Sequence, residues 1–302
     1  MSTVATPKNE AAAPAVAEPA PAGRPLPLWY SSTVAGLVAV ATVYGLVARP
    51  YRLVPDLLAT TWVAQDAVTL ATAPLLVWAA LRAARGSLRA HVLWVGLQTW
   101  IAYCYAHLAI GAPLNAVFLV YVALLALAGY AALDGILRVD VTAAASAFDR
   151  APRRAAMWFL TAGGLGIAGL WLSDIVPALL RGGLPAGIHL GELPSPTWVL
   201  DLAWIIPVSI GAALMVRRGH PAAPLIAAAM LVALLVLSVG MLAIAPFAVA
   251  AGLHADAGIA AQLVVFSVVF GVLGAVEAWL LVTGARRMAP AEDRWLREGW
   301  WT

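Results

Sequence analysis

The groups in this sequence that could carry chemistry are polar side chains set in or beside long apolar runs: Asp66, His107, Asn115, Asp174, Asp201 and Glu277. An ionisable group in an apolar span is costly to keep in lipid. It therefore faces a bundle interior, a cavity or water, and marks ion, proton or solute pathways. Asp66 and Asp201 stand near the outer ends of the second and sixth apolar runs, and Thr69 follows Asp66 on the same helical face. Facing each other, two such carboxylates would bind a cation or a proton. The same acids read equally well as first-turn residues that cap their helices and complement the dipole.

His107 follows Tyr103 by one helical turn and shares a face with Trp100, whereas Gln98 and Tyr105 share another face. Asn115 opens the fourth run after the short link Gly111-Ala112-Pro113-Leu114, in the same leaflet as Asp66. Glu277, flanked by Val276, Ala278 and Trp279, is the most deeply apolar carboxylate and belongs with Asp134 to the inner half. It is a candidate for handling a proton, or for a hydrogen bond between helices.

Metal chemistry finds little footing. His189 and Glu192 lie three residues apart in a proline-restricted outer segment, 173–196, that also holds Asp174 and Arg181; His254 and Asp256 stand in another outer loop. No dense ligand motif joins them, so no metal is expected and the long segment reads as a lid or plug over the outer mouth. Cys104 is the one cysteine and Lys8 the one lysine, which removes intrachain disulfides, Cys-x-x-Cys chemistry and any intramembrane Schiff base. Phosphate-loop, dinucleotide, nucleophile-elbow and zinc signatures are missing as well. Nothing in the sequence asks for a cofactor.

These residues must be held by membrane helices. Of 302 residues, 63% are apolar and 11% charged, far from the balance of a soluble domain. The net charge of +3 is scattered and forms no basic face, which argues against nucleic acid as a partner and leaves the bilayer. Residues 1–28 are Ala/Pro-rich and read as a disordered tail. Eight apolar runs follow, at about 29–48, 64–83, 91–110, 115–135, 155–172, 198–216, 222–245 and 259–283, the seventh continuing past Pro246 to Leu253 and so either tilted or broken near that proline. Each approaches the roughly 20 residues that span the hydrocarbon core as helix.

Fifteen of the eighteen Lys and Arg residues fall in the tails and alternate loops on one side, which places both termini in the cytoplasm. One lysine against seventeen arginines suggests a GC-rich bacterial coding style, hence a bacterial inner membrane. The segment 295–301, with Trp295, Trp300 and Trp301, suits the inner interface.

The two halves share a pattern. From Pro74 and again from Pro207 the chain reads Pro-x4-Ala-Ala-Leu-x3-Arg-Gly without a gap. The predicted architecture is an all-α bundle of about eight transmembrane helices in a parallel four-plus-four repeat. The first unit covers 29–140, a linker 141–154, the second unit 155–287 and a cytoplasmic interfacial tail 288–302. Glycines at 163, 166 and 169, and at 271 and 274, suggest close helix packing.

Gln65-Asp66, the turn Arg85-Gly86-Ser87, Asn115-x2-Phe118-Leu119-x-Tyr121 and Asp201-Leu202 with Pro207 together resemble a set of uncharacterised bacterial multi-pass membrane proteins. That resemblance spans most of 60–285 and implies no activity. Three functions fit the residues. The first is a permease-like transporter for a small solute with a site between the repeats. The second is an enzyme acting on a lipid or isoprenoid at the outer leaflet through Asp66, His107, Asp174 and Asp201. The third is a non-catalytic subunit or regulator of a membrane complex.

Overall fold

The computed structural model describes residues 28–149, 151–185 and 194–288. Eight long helices dominate: α1 (Leu28–Ala48), α2 (Asp56–Ala83), α3 (Leu88–Gly111), α4 (Phe118–Leu137), α5 (Arg153–Leu180), α6 (Pro196–Arg217), α7 (Ala223–Ala250) and α8 (Ala257–Arg287). No strand occurs among the described residues. The chain is an all-helical membrane bundle. Seven helices are long and apolar enough to cross a bilayer. The eighth, α3, is 24 residues long and carries Arg89, His91, Gln98 and His107. It tolerates them because its neighbours surround it, so that most of its residues are buried and little of it meets lipid.

The helices run back and forth between two faces. The terminal face gathers the start of α1, the α2–α3 turn, the segment 138–152, the α6–α7 turn and the end of α8; the distal face gathers the other turns. Arg89 Nη2 donates to the Met288 carbonyl at 2.7 Å, tying the start of α3 to the end of α8.

Within each half the helices pack in order, α1 on α2 on α3 on α4, and α5 on α6 on α7 on α8. Between the halves α3 meets α7 along its length, α2 leans on α7, and the start of α6 touches α3. The first half closes through α1 against α4, whereas α5 and α8 form no comparable interface. Gly96 makes the central crossing feasible. A Cβ there would lie 2.4 Å from the Val232 side chain and 2.7 Å from the Ala229 carbonyl.

Several elements differ from the sequence reading. Helix α2 begins at Asp56, two turns ahead of the apolar run. Pro55 precedes it and Asp56 supplies the first-turn acid, whereas Thr60 and Thr61 had lowered the local hydrophobicity. Asp66 is therefore an interior residue and not a cap. Helix α5 runs through Pro177 to Leu180, so Asp174 is helical and not part of a loop. Its end is closed at Gly182, φ +66°, with Gly183 N–H bonded to the Ala178 carbonyl at 2.9 Å. Helix α7 runs through Pro246 to Ala250, so of the two readings of that run the broken one does not hold. Of the glycines read as packing contacts, Gly274 lies close against Ser238, whereas 163, 166, 169 and 271 meet nothing within 4 Å; Gly164, against Ile210, makes the other close approach. The tail segment 295–301 lies outside the described residues.

Candidate functional site: a buried aspartate behind a distal vestibule

Helix α2 places Gln65, Asp66, Thr69 and Thr72 on the side it turns toward its neighbours, and Asp66 is 1% exposed. Tyr51, in the short link between α1 and α2, donates its hydroxyl to Asp66 Oδ2 at 2.8 Å. Gly45 on α1 makes room for that contact. A Cβ on Gly45 would sit 1.8 Å from the same oxygen and 2.9 Å from the Tyr51 hydroxyl. The Tyr51 ring packs edge-on to Trp62 with centroids 5.3 Å apart. Burial, and then the Asp66 carboxylate, pushes the Tyr51 phenol well above its ordinary range, so it stays protonated and remains a donor.

Tyr51 also lines a vestibule of about 530 Å³ on the distal face, together with Arg49, Arg52, Asp56 and Thr60. Phe247 and Leu253 close its other side. Arg49 is the one non-glycine residue among those described with positive φ, 45°, so the chain turns sharply where α1 ends. A single side chain thus bounds the vestibule and bonds to the buried carboxylate.

Inward from Asp66 the polar groups continue. Gln65 Nε2 donates to Cys104 Sγ at 2.7 Å, Thr69 Oγ1 lies 3.5 Å from the same sulfur, and Trp100 Nε1 donates to Thr69 Oγ1 at 3.3 Å. Tyr105 and Tyr121 stack 5.8 Å apart beside this group, within reach of the Asp66 charge. The buried Tyr105 hydroxyl has no hydrogen-bond partner among the described residues, whereas the Tyr121 hydroxyl lies toward Tyr51 and Asn115. Orphaned buried hydroxyls are where a water, an ion or a solute atom would be stabilised.

Asp201 has a different environment. Tyr103 donates to its Oδ1 at 2.6 Å and Trp171 Nε1 to its Oδ2 at 2.8 Å, so α3, α5 and α6 meet at one carboxylate. It opens a π turn, Asp201–Ile205, in which the Ile206 N–H bonds back to the Asp201 carbonyl. The wider turn precedes Pro207, which cannot donate an N–H of its own. Asp201 is thus an interior residue and, like Asp66, no helix cap. His107 belongs here too: Nε2 lies 3.1 Å from Thr197 Oγ1, Nδ1 lies 3.3 Å from the Tyr103 carbonyl, and its ring meets Tyr103 edge-on.

Asp66 and Asp201 do not face each other. Each has its own tyrosine, and α2 and α6 share no packed interface; α3 contacts both. Glu277 accepts from Ser238 Oγ at 2.8 Å, which joins α8 to α7. Asp134 pairs with Arg138 near the terminal face. Asn115 is bound into its own turn, donating to the Pro113 carbonyl at 2.9 Å and accepting from Val117 N–H at 3.1 Å. Asp174 is half-buried on α5. His189 and Glu192 lie outside the described residues, and among those described no three His, Cys, Asp or Glu side chains gather as metal ligands would.

The residues missed in the sequence are Tyr51 and Gly45. Tyr51 is the one aromatic in its link, but nothing in its position along the chain shows that it folds back onto the third turn of α2. No protein family, curated protein or solved structure matches this chain.

Proposed function

We propose that the protein is a permease-like transporter for a small solute, with Asp66 as its buried proton- or cation-binding group and the distal vestibule as its access. The single observation that carries this reading is the double role of Tyr51. It bounds the vestibule and holds Asp66, so rotation of one side chain would expose the carboxylate to whatever fills the vestibule. The orphaned hydroxyl of Tyr105 offers a polar partner close to the same carboxylate. In-span acids of this kind mark ion and proton pathways in transporters.

The in-order packing of the two halves and the α3–α7 contact between them support reading the bundle as two parallel four-helix units. In that reading the carboxylate lies inside the first unit, and its vestibule opens between the two units. The excess of arginine on the terminal face supports cytoplasmic termini in a bacterial inner membrane. An outer-leaflet enzyme using Asp66, His107, Asp174 and Asp201 together is less favoured, because Asp66 belongs to a different cluster from Asp201 and His107.

The test is transport current across proteoliposomes, screened with monovalent cations, amines, amino acids and sugars under an imposed proton gradient. At least one solute is expected to give a current that Asp66→Asn abolishes. A wild type silent across the panel, or a current that survives unchanged in Asp66→Asn, overturns the reading.

A further inference from the structure

A second cavity, of about 480 Å³, opens at the terminal face where α2, α3, α5, α6, α7 and α8 converge. Its walls are mostly apolar, with Trp78, Leu93, Leu231 and Leu280 among them, and its lining includes no Asp or Glu. Leu231 lies eight residues into α7, so the apolar shaft reaches about 12 Å along the helices.

Three arginines stand at the mouth: Arg82, Arg89 and Arg153. Arg153 is neutralised by Asp149 at 2.7 Å and also bonds the Phe148 carbonyl. Arg89 is not paired with a carboxylate, because its bond is to the neutral Met288 carbonyl. The Arg82 guanidinium has no carboxylate within ion-pair distance among the described residues. Two uncompensated guanidiniums thus sit over an apolar shaft. On the flanks, Trp78 and Val282 are 51% and 47% exposed, which opens the cavity toward the surrounding lipid.

We propose that this cavity binds one anionic phospholipid, with an acyl chain in the shaft and the phosphate at Arg82 and Arg89. Arginine at this end of a membrane protein is ordinary. Its convergence on an apolar cavity of ligand size is what identifies a site. A free phosphate gains nothing from the shaft. A zwitterionic headgroup brings its own cation against the arginines. The anionic lipid alone matches both parts.

The experiment is native mass spectrometry of the full chain in detergent, with phosphatidylglycerol or phosphatidylcholine of the same acyl chains. Melting curves with inorganic phosphate run beside it. Phosphatidylglycerol adducts are expected to exceed phosphatidylcholine adducts, to fall about fivefold in Arg82→Ala and to vanish in Ala228→Trp, which fills the shaft. Inorganic phosphate is expected to leave the melting curve unmoved.

Arg82 is exposed, so its alanine variant keeps the fold and isolates the headgroup contact. Equal adducts from the two lipids, adducts that persist in both variants, or stabilisation by phosphate alone would each overturn the proposal. So would a rise in phosphatidylglycerol occupancy when residues 289–302 are removed, because the chain's own end would then be the occupant.

Discussion

The Tyr51 hydroxyl reaches from the link between α1 and α2 to Asp66 Oδ2, 2.8 Å away and fifteen residues along the chain. It makes an interior carboxylate the neighbour of a distal cavity. The bond is between a neutral phenol and a group held almost wholly out of water, so its loss is felt through the carboxylate left behind.

Removing the hydroxyl alone, in Tyr51→Phe, should cost about 1–3 kcal/mol, the desolvation penalty of a buried polar group left short of a partner. Unfolding in mixed micelles on titration with dodecyl sulfate measures it. A double-mutant cycle with Asp66→Leu should return a coupling of about 1 kcal/mol or more between the two positions. Additive losses would show that the two side chains do not depend on each other.

Gly45 sets the clearance for that bond. Gly45→Ala would place its Cβ 1.8 Å from Asp66 Oδ2, so either α1 shifts away from α2 or the carboxylate leaves Tyr51. Overpacking of this kind costs about 1–3 kcal/mol. Gly36 on the same helix meets nothing within 4 Å, and Gly36→Ala should be neutral or slightly stabilising. Equal melting points for the two alanine variants would contradict the contact.

Much of this architecture is legible in the sequence because lipid imposes it. Helix length and apolarity follow from bilayer thickness, and the ends of α1 and α6 fall within two residues of the runs read from sequence. The boundaries that moved are those where proline or threonine dilutes hydrophobicity without breaking a helix, at Pro177 in α5 and around Thr60 in α2.

The acids were legible as a class, since any in-span carboxylate stands out. Their partners were not. Tyr51–Asp66 and Trp171–Asp201 join different elements, and a periodicity along one helix carries no information about which neighbour donates. The face-to-face pairing of the two aspartates failed for the same reason: α3 contacts both helices and gives a separate tyrosine to Asp201.

The orientation in the membrane can be read by chemistry. In a Cys104→Ser background, cysteines at Gly183 on the distal face and at His220 on the terminal face meet opposite compartments if the arginine bias sets topology. In intact cells an impermeant maleimide should label Gly183→Cys and spare His220→Cys, whereas both should react after lysis. Labelling of His220→Cys alone in intact cells would invert the topology and turn the vestibule inward.

Asp66 and Asp201 should respond differently to the same substitution. Asp201 receives one donor on each oxygen, from Tyr103 and Trp171. Asparagine can keep Trp171 on its carbonyl and donate its amide to the Tyr103 oxygen, since a phenol both gives and accepts but an indole only gives. Asp201→Asn should therefore remain folded and active. Asp201→Leu leaves the buried Tyr103 hydroxyl and the half-buried Trp171 N–H without a partner and should lose about 2–4 kcal/mol.

At Asp66 asparagine also keeps the Tyr51 bond through its carbonyl oxygen, so stability should again survive. What disappears there is the ability to take up and release a proton or a cation. Thermal melts and transport currents on the two asparagine variants separate the roles. Two stable proteins, of which only Asp66→Asn is inactive, is the expected outcome. Loss of current in Asp201→Asn would move the working carboxylate to the α3–α5–α6 junction, away from the vestibule.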